Sequence, residues 1–142
     1  MSEQKYESKI TSSTQSAHDI FRVMSDLRNI DKVKDLIPKD KIKEILAEED
    51  NIRIKVDGLG PMIGIRILDK EEDNVIKYGL ENIPMEGYFW VQMKQVAPGD
   101  TRMKLTIKAD MPMMIKMMVE KKLQQGLDQA AEMLAQMPFG MM

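Results

Sequence analysis

Residues 112–137 constrain the fold of this chain more than any other stretch. Apolar residues recur there at spacings of three and four, the period of one helix face, over about seven turns. The residues on that face are Ile115, Val119, Leu123, Gly126, Ala130, Leu134 and Met137. Pro112 suits a first helical turn, and Pro138 favours termination. An amphipathic helix roughly 37 Å long needs an apolar surface to lie on.

A run of strands with a period of two precedes this helix. Ile52, Ile54 and Val56 alternate with Arg53 and Lys55. The same alternation recurs in residues 63–67, 75–82, 86–97 and 101–109, and turn sequences separate them. Short turns between successive strands predict antiparallel pairing, and one polar face per strand predicts a sheet with one face in water. The other face must be covered, and the terminal helix is the large apolar surface available.

The N-terminal third is predicted to contribute one strand and two short helices. Residues 6–14 read as a strand, and Ser16 as the N-cap of a helix with Asp19 three residues on. The first helix has an apolar stripe of Ala17, Ile20, Phe21, Met24 and Leu27, and the second is indicated by Ile30, Val33 and Ile37. Residues 41–49 are compatible with a helix by composition and with a strand by position.

The composition excludes several classes of function. The chain has 142 residues, a net charge of −2 and no cysteine. It is the size of one domain, predicted over residues 1–142, and its charge gives no reason to expect a nucleic-acid partner. Disulfides and thiolate metal sites are excluded, and we expect no metal and no cofactor. The sequence has no apolar run of about 20 residues and no early apolar run, so we expect a cytoplasmic protein without a transmembrane segment.

Two segments resemble the START-like superfamily, also called SRPBCC or polyketide cyclase-like proteins. They are residues 16–26, SAHDIFRVMSD, after the first strand, and residues 101–109, TRMKLTIKA, before the long helix. The resemblance implies an α+β helix-grip fold. In that fold a curved seven-stranded antiparallel sheet surrounds the C-terminal helix, with two short helices between strands 1 and 2. It also implies that residues 41–49 form the second strand. The superfamily includes lipid carriers, cyclases and chaperone co-factors, so the fold does not fix the function.

A long helix on a curved sheet leaves a gap, and we predict a ligand site there. Ligand pockets are mostly apolar concavities edged by a few polar groups. The expected ligand is a small hydrophobic or amphipathic molecule, such as a lipid, a polyketide-like compound or an isoprenoid. Gly126 either provides room or a bend beneath the helix or is merely tolerated there. Strand alternation and the helix period predict this lining: Ile54, Ile65, Tyr78, Phe89, Val91, Met93, Leu105, Ile107, Met118 and Gly126.

Two alternatives to a carrier stay open. The first is a protein-interaction module, of the chaperone- or ribosome-associated type. Met113 and Met117, predicted to point away from the buried face, would then bind a protein partner or a second copy. The second is a cyclase or dehydratase, which needs an acid/base pair inside the cavity, and the predicted lining offers only Tyr78. His18, the only histidine, is expected in solvent. No catalytic residue is predicted, and the sequence favours binding over catalysis.

Overall fold

The computed structural model describes residues 2–32, 42–56, 62–83 and 85–142. Within these ranges the chain forms two α-helices, a long antiparallel sheet and two short 3₁₀ helices. The first elements are β1 (Ser2–Glu7), β2 (Thr11–Ser13), α1 (Ala17–Met24), a 3₁₀ helix (Leu27–Lys32), β3 (Ile42–Ala47) and β4 (Asn51–Val56). The remainder are β5 (Ile63–Glu71), β6 (Val75–Glu81), β7 (Gly87–Ala97), β8 (Asp100–Met111), α2 (Met113–Gln136) and a C-terminal 3₁₀ helix (Phe139–Met141).

Strands β3 to β8 form a meander, and β1 adds to its β8 edge. The strand order of the sheet is β1-β8-β7-β6-β5-β4-β3, and β2 also pairs with β8. Every pairing is antiparallel, and β1 meets β8 with Ser2 opposite Met111. A long helix follows β8 directly, and the short helices lie between β2 and β3. The predicted α+β helix-grip fold is therefore confirmed, and the strand at residues 41–49 is β3.

The predicted first strand, residues 6–14, is wrong as one element because a bulge divides it. Glu7 pairs with Thr106 and Thr11 with Met103, so three residues face two on β8. The Ser8 hydroxyl accepts a hydrogen bond from the Leu105 N–H at 2.9 Å and takes the place of a backbone acceptor. Side-chain direction changes across this point, which leaves Ile10 exposed and Ser13 buried.

Helix α1 begins directly after Ser16, the predicted N-cap. The Asp19 N–H donates to the Ser16 hydroxyl at 3.1 Å, which satisfies a donor that has no partner within the helix. Ala17, Ile20 and Val23 form its buried face. A 3₁₀ helix, Leu27–Lys32, overlaps the second predicted helix at Ile30. Two residues on which that prediction rested, Val33 and Ile37, lie outside the described residues.

The buried face of α2 differs from the predicted one near its middle. Leu127, Ala131 and Leu134 are buried, whereas Gly126 is exposed. Gly126 and Leu127 both continue the spacing after Leu123. The larger apolar side chain takes the inward position because it buries more surface. The partly buried residues that extend this face are Ile115, Val119, Leu123 and Ala130.

The core lies between the concave face of the sheet and the two helices. A row of paired residues crosses its centre, where Ile76 lies opposite Val91 and Val91 opposite Leu105. All three are almost completely buried. Phe139 in the C-terminal 3₁₀ helix is fully buried beside α1. The last residues of the chain therefore contribute to the core.

Candidate functional site

Most of the residues predicted to line the ligand site face the core. Four are buried and three are partly buried against them; in that order they are Tyr78, Val91, Met93, Leu105, Ile65, Phe89 and Ile107. Ile54 lies on β4 opposite Ile63 and is partly exposed. These residues form the floor on which the helices rest.

Met118 and Gly126 do not face the sheet, so the prediction that they line the ligand site is wrong. Met118 is 73% exposed, and a side chain added at Gly126 would meet no atom within 4 Å. The inward face of α2 passes through Leu123 and Leu127. Met118 lies more than a quarter turn away from that line, since successive residues are separated by about 100°.

An apolar cleft lies at the C-terminal end of α2. It has a volume of about 150 Å³ and is bounded by α1, the 3₁₀ helix after it, β4 and the last turns of the chain. Its apolar lining consists of Val23, Met24, Leu27, Ile30, Ile52, Met133, Leu134, Met137 and Met142. Asp26 and Asn29 complete the lining. None of the residues predicted to line the ligand site belongs to this cleft.

The polar groups of the cleft are already engaged by the fold. The Asn29 side-chain amide donates to the carbonyl oxygens of Val23 at 3.0 Å and Asp26 at 3.1 Å. The Asp26 carboxylate accepts two hydrogen bonds from the Arg28 guanidinium, at 2.9 and 2.6 Å. These bonds hold the pKa of Asp26 below its usual value. A ligand would therefore meet mainly apolar walls, which select by shape and hydrophobicity.

Tyr78 positions the helix that forms one wall of the cleft. Its hydroxyl donates to the carbonyl oxygen of Met24, at 2.7 Å, at the C-terminal end of α1. Its ring lies 5.8 Å from that of Phe89, centre to centre. Burial raises the pKa of the Tyr78 hydroxyl well above its ordinary value. The polar tip predicted for this residue is therefore directed at the backbone of α1.

Sequence reasoning missed the cleft because most of its walls come from helices and from the last residues of the chain, which have no strand alternation. The sequence predicts Met24 and Leu27 only as part of the packing stripe of a short helix, and Val23 does not belong to that stripe. Met142 lies beyond the helical period altogether. One signal was available, since Ile52 alternates with charged neighbours on β4 and is buried.

A separate group of polar side chains joins α1 to the turn between β5 and β6. The Nδ1 atom of His18 lies 3.3 Å from Oδ1 of Asp73. With Glu72 they offer three ligand atoms within 4.8 Å of one another, an arrangement that could hold a cation. His18 is exposed, as expected. The group lies on the surface, apart from the residues of the cleft.

Comparison with solved structures identifies the fold. Truncated norcoclaurine synthase from Thalictrum flavum matches with a TM-score of 0.72 at 12% identity, over 94% of this chain and 91% of that chain. A START superfamily protein from Mycobacterium smegmatis matches with a TM-score of 0.58 at 15% identity, over 92% and 98%. Ara h 8.0201 matches with a TM-score of 0.56 at 17% identity, over 92% and 96%. The chain therefore has a START-like fold, as the resemblance implied.

The other comparisons add no relative. No protein-family model and no curated protein matches the chain. Among the described residues, no helix is both long and apolar enough to cross a membrane.

Proposed function

We propose that this protein binds a small hydrophobic or amphipathic molecule in the cleft at the C-terminal end of α2. The observation that carries the proposal is the lining, which is apolar apart from Asp26 and Asn29. Both polar residues have partners within the fold, so a ligand need not satisfy them. Burial of apolar ligand surface would supply the affinity, at roughly 25 cal/mol per Å² before association costs.

The volume of the cleft limits what enters it. An apolar cavity of about 150 Å³ accommodates a molecule such as benzene. The cleft here has the same volume, so it would take one ring or the end of a chain rather than a whole lipid. A lipid, polyketide-like or isoprenoid ligand would insert its apolar end and leave its polar end in solvent.

The START-like fold supports this class of ligand. Norcoclaurine synthase from Thalictrum flavum, which shares the fold, has been solved in complex with dopamine and hydroxybenzaldehyde. Both are small aromatic molecules, similar in size to what the cleft would admit.

A cytoplasmic location remains our expectation for this chain, because a protein without cysteine suits a reducing compartment.

NMR titration with benzene and with decanoate would test the proposal. We expect the methyl signals of Ile52 and Leu134, on opposite sides of the cleft, to shift together. Met133→Trp should fill the cleft from its exposed rim and weaken binding about tenfold or more. Met141→Trp is the matched control, because Met141 is 89% exposed and does not line the cleft.

Three outcomes would contradict the proposal. They are shifts confined to residues outside the cleft, no shift at all, or equal binding by the two tryptophan variants. Mass spectrometry of the recovered ligand would separate binding from catalysis, since a changed mass would indicate an enzyme. Native mass spectrometry of the protein from its own cells would then identify the physiological ligand.

A further inference from the structure

The first half of α2 carries an exposed apolar surface on its outward side. We call Met113, Met114, Met117 and Met118 the methionine surface; these side chains are 66%, 76%, 77% and 73% exposed. The second half of the same helix exposes mostly polar residues instead, namely Gln125, Gln129, Glu132 and Gln136. Contiguous exposed apolar side chains generally mark a contact surface. The packing of α2 against the sheet therefore does not explain why these four methionines are exposed together.

Positive charge accompanies the methionine surface. Lys121 and Lys122 are exposed one turn further along the helix. Neither side chain forms a hydrogen bond or ion pair with any residue in the described ranges. The acidic residue of this segment, Glu120, accepts a hydrogen bond from the Tyr6 hydroxyl at 3.3 Å and is directed toward β1. The outward side of the first half of α2 is thus apolar and basic.

We propose that the methionine surface docks the protein onto an anionic lipid bilayer. A helix that presents apolar side chains with lysines beside them can lie in the plane of the membrane interface, with the apolar side chains inserted and the lysines at the headgroups. The methionine side chains would enter the boundary between headgroups and acyl chains. The ammonium groups of Lys121 and Lys122 would remain among the lipid phosphates, since long charged side chains extend to the polar region.

The shape and chemistry of this surface favour a bilayer over a folded protein partner. The four methionines lie on the outward ridge of a helix, which presents a convex surface and no groove for a partner to fill. Methionine is unbranched and flexible, so it adapts to a fluid environment without a complementary shape. The ammonium groups of Lys121 and Lys122, which have no partner among the described residues, complement the negative surface of anionic lipids. The proposal does not depend on ligand binding in the cleft, which lies at the opposite end of α2.

Co-sedimentation with vesicles tests the proposal. The vesicles are pure phosphatidylcholine, or an equal mixture of phosphatidylcholine and phosphatidylglycerol. We expect the protein to sediment with the mixed vesicles, to be released by high salt, and not to sediment with the neutral ones. Lys121→Gln with Lys122→Gln should weaken binding about 30-fold, at about 1 kcal/mol for each lysine near the surface.

Two further variants separate the apolar contribution from general effects. Met114→Gln with Met118→Gln keeps the charge and the helix propensity, and should weaken binding about tenfold or more. Met141→Gln is the matched control, since it makes the same chemical change at an exposed methionine outside the methionine surface. It should bind as the unmodified protein does. Circular dichroism would verify that all variants are folded.

Several outcomes would overturn the proposal. Failure of the unmodified protein to sediment with the mixed vesicles is one, and equal binding by all the variants is another. Sedimentation velocity supplies a third. If the protein is a dimer and Met114→Gln with Met118→Gln makes it a monomer, the methionine surface joins two copies and does not bind lipid.

Discussion

The hydrogen bond between Tyr78 and α1 leads to a prediction with a defined pH dependence. The Tyr78 hydroxyl is buried and donates to the Met24 carbonyl at 2.7 Å. Tyr78→Phe removes the donor and leaves the carbonyl with one partner fewer. A buried hydrogen bond of this kind stabilises a protein by about 1–2 kcal/mol. We therefore expect the variant to be less stable by that amount at pH 7, as measured by urea unfolding.

The stability difference should shrink as the pH rises. Tyrosine ionises near pH 10 in an unfolded chain, whereas burial raises the pKa of Tyr78 in the folded protein. Above pH 10 the unfolded state therefore has fewer bound protons at this site than the folded state, and stability falls with pH. For one such group the loss reaches about 1.4 kcal/mol at pH 11. Because the variant lacks this group, the two proteins should approach equal stability near pH 11.

Urea unfolding of both proteins from pH 7 to pH 11 would measure this difference directly. The control is Tyr88→Phe, which makes the same change at a partly exposed residue on the outer face of the sheet. It should alter stability at pH 7 by less than about 0.5 kcal/mol. A Tyr78→Phe difference that stays constant up to pH 11 would refute the reasoning. It would mean that the hydroxyl ionises as readily in the folded protein as in the unfolded chain.

Three further predictions concern stability and are checked by the same unfolding measurement. Ser16→Ala should lower the free energy of unfolding by about 1 kcal/mol, because the hydroxyl accepts a hydrogen bond from the Asp19 N–H. An unchanged urea midpoint would show that this hydroxyl does not stabilise the helix. Gly126→Ala should stabilise the protein by about 0.5–1 kcal/mol, since the added methyl group meets open space in a helix interior. A loss of stability in this variant would show that residue 126 packs against other atoms. Phe139→Ala should cost about 3–5 kcal/mol, because the ring is fully buried; a cost below about 1 kcal/mol would place it outside the core.

The sheet and the long helix were predictable because their patterns are local. Alternation along β4 to β8 depends on each strand having one buried and one solvated face, and this is visible in residues that follow one another. The cap at Ser16 was predictable for the same reason, since its partner is three residues away. Such features do not depend on contacts with residues elsewhere in the chain.

The features that were missed depend on contacts between distant residues. Two hydrogen bonds fix the division between β1 and β2. The Leu105 N–H donates to the Ser8 hydroxyl, and the Lys9 N–H donates to the Asp128 carboxylate at 2.8 Å. No pattern within residues 6–14 contains that information. The cleft was missed likewise, because Val23, Ile52 and Met137 meet only once the helices have been placed on the sheet.

The pairing of β1 with β8 affects how the chain can fold as it leaves the ribosome. Ser2 and Met111 are partners, so β1 can pair only after β8 has been synthesised. At 5–20 residues per second, that wait lasts roughly 5–20 s. The hairpins from β3 to β7 can pair in this interval, because their contacts are local. β1 remains without its neighbour until β8 has been made, so the pairing of β1 should be one of the last steps in the assembly of this sheet.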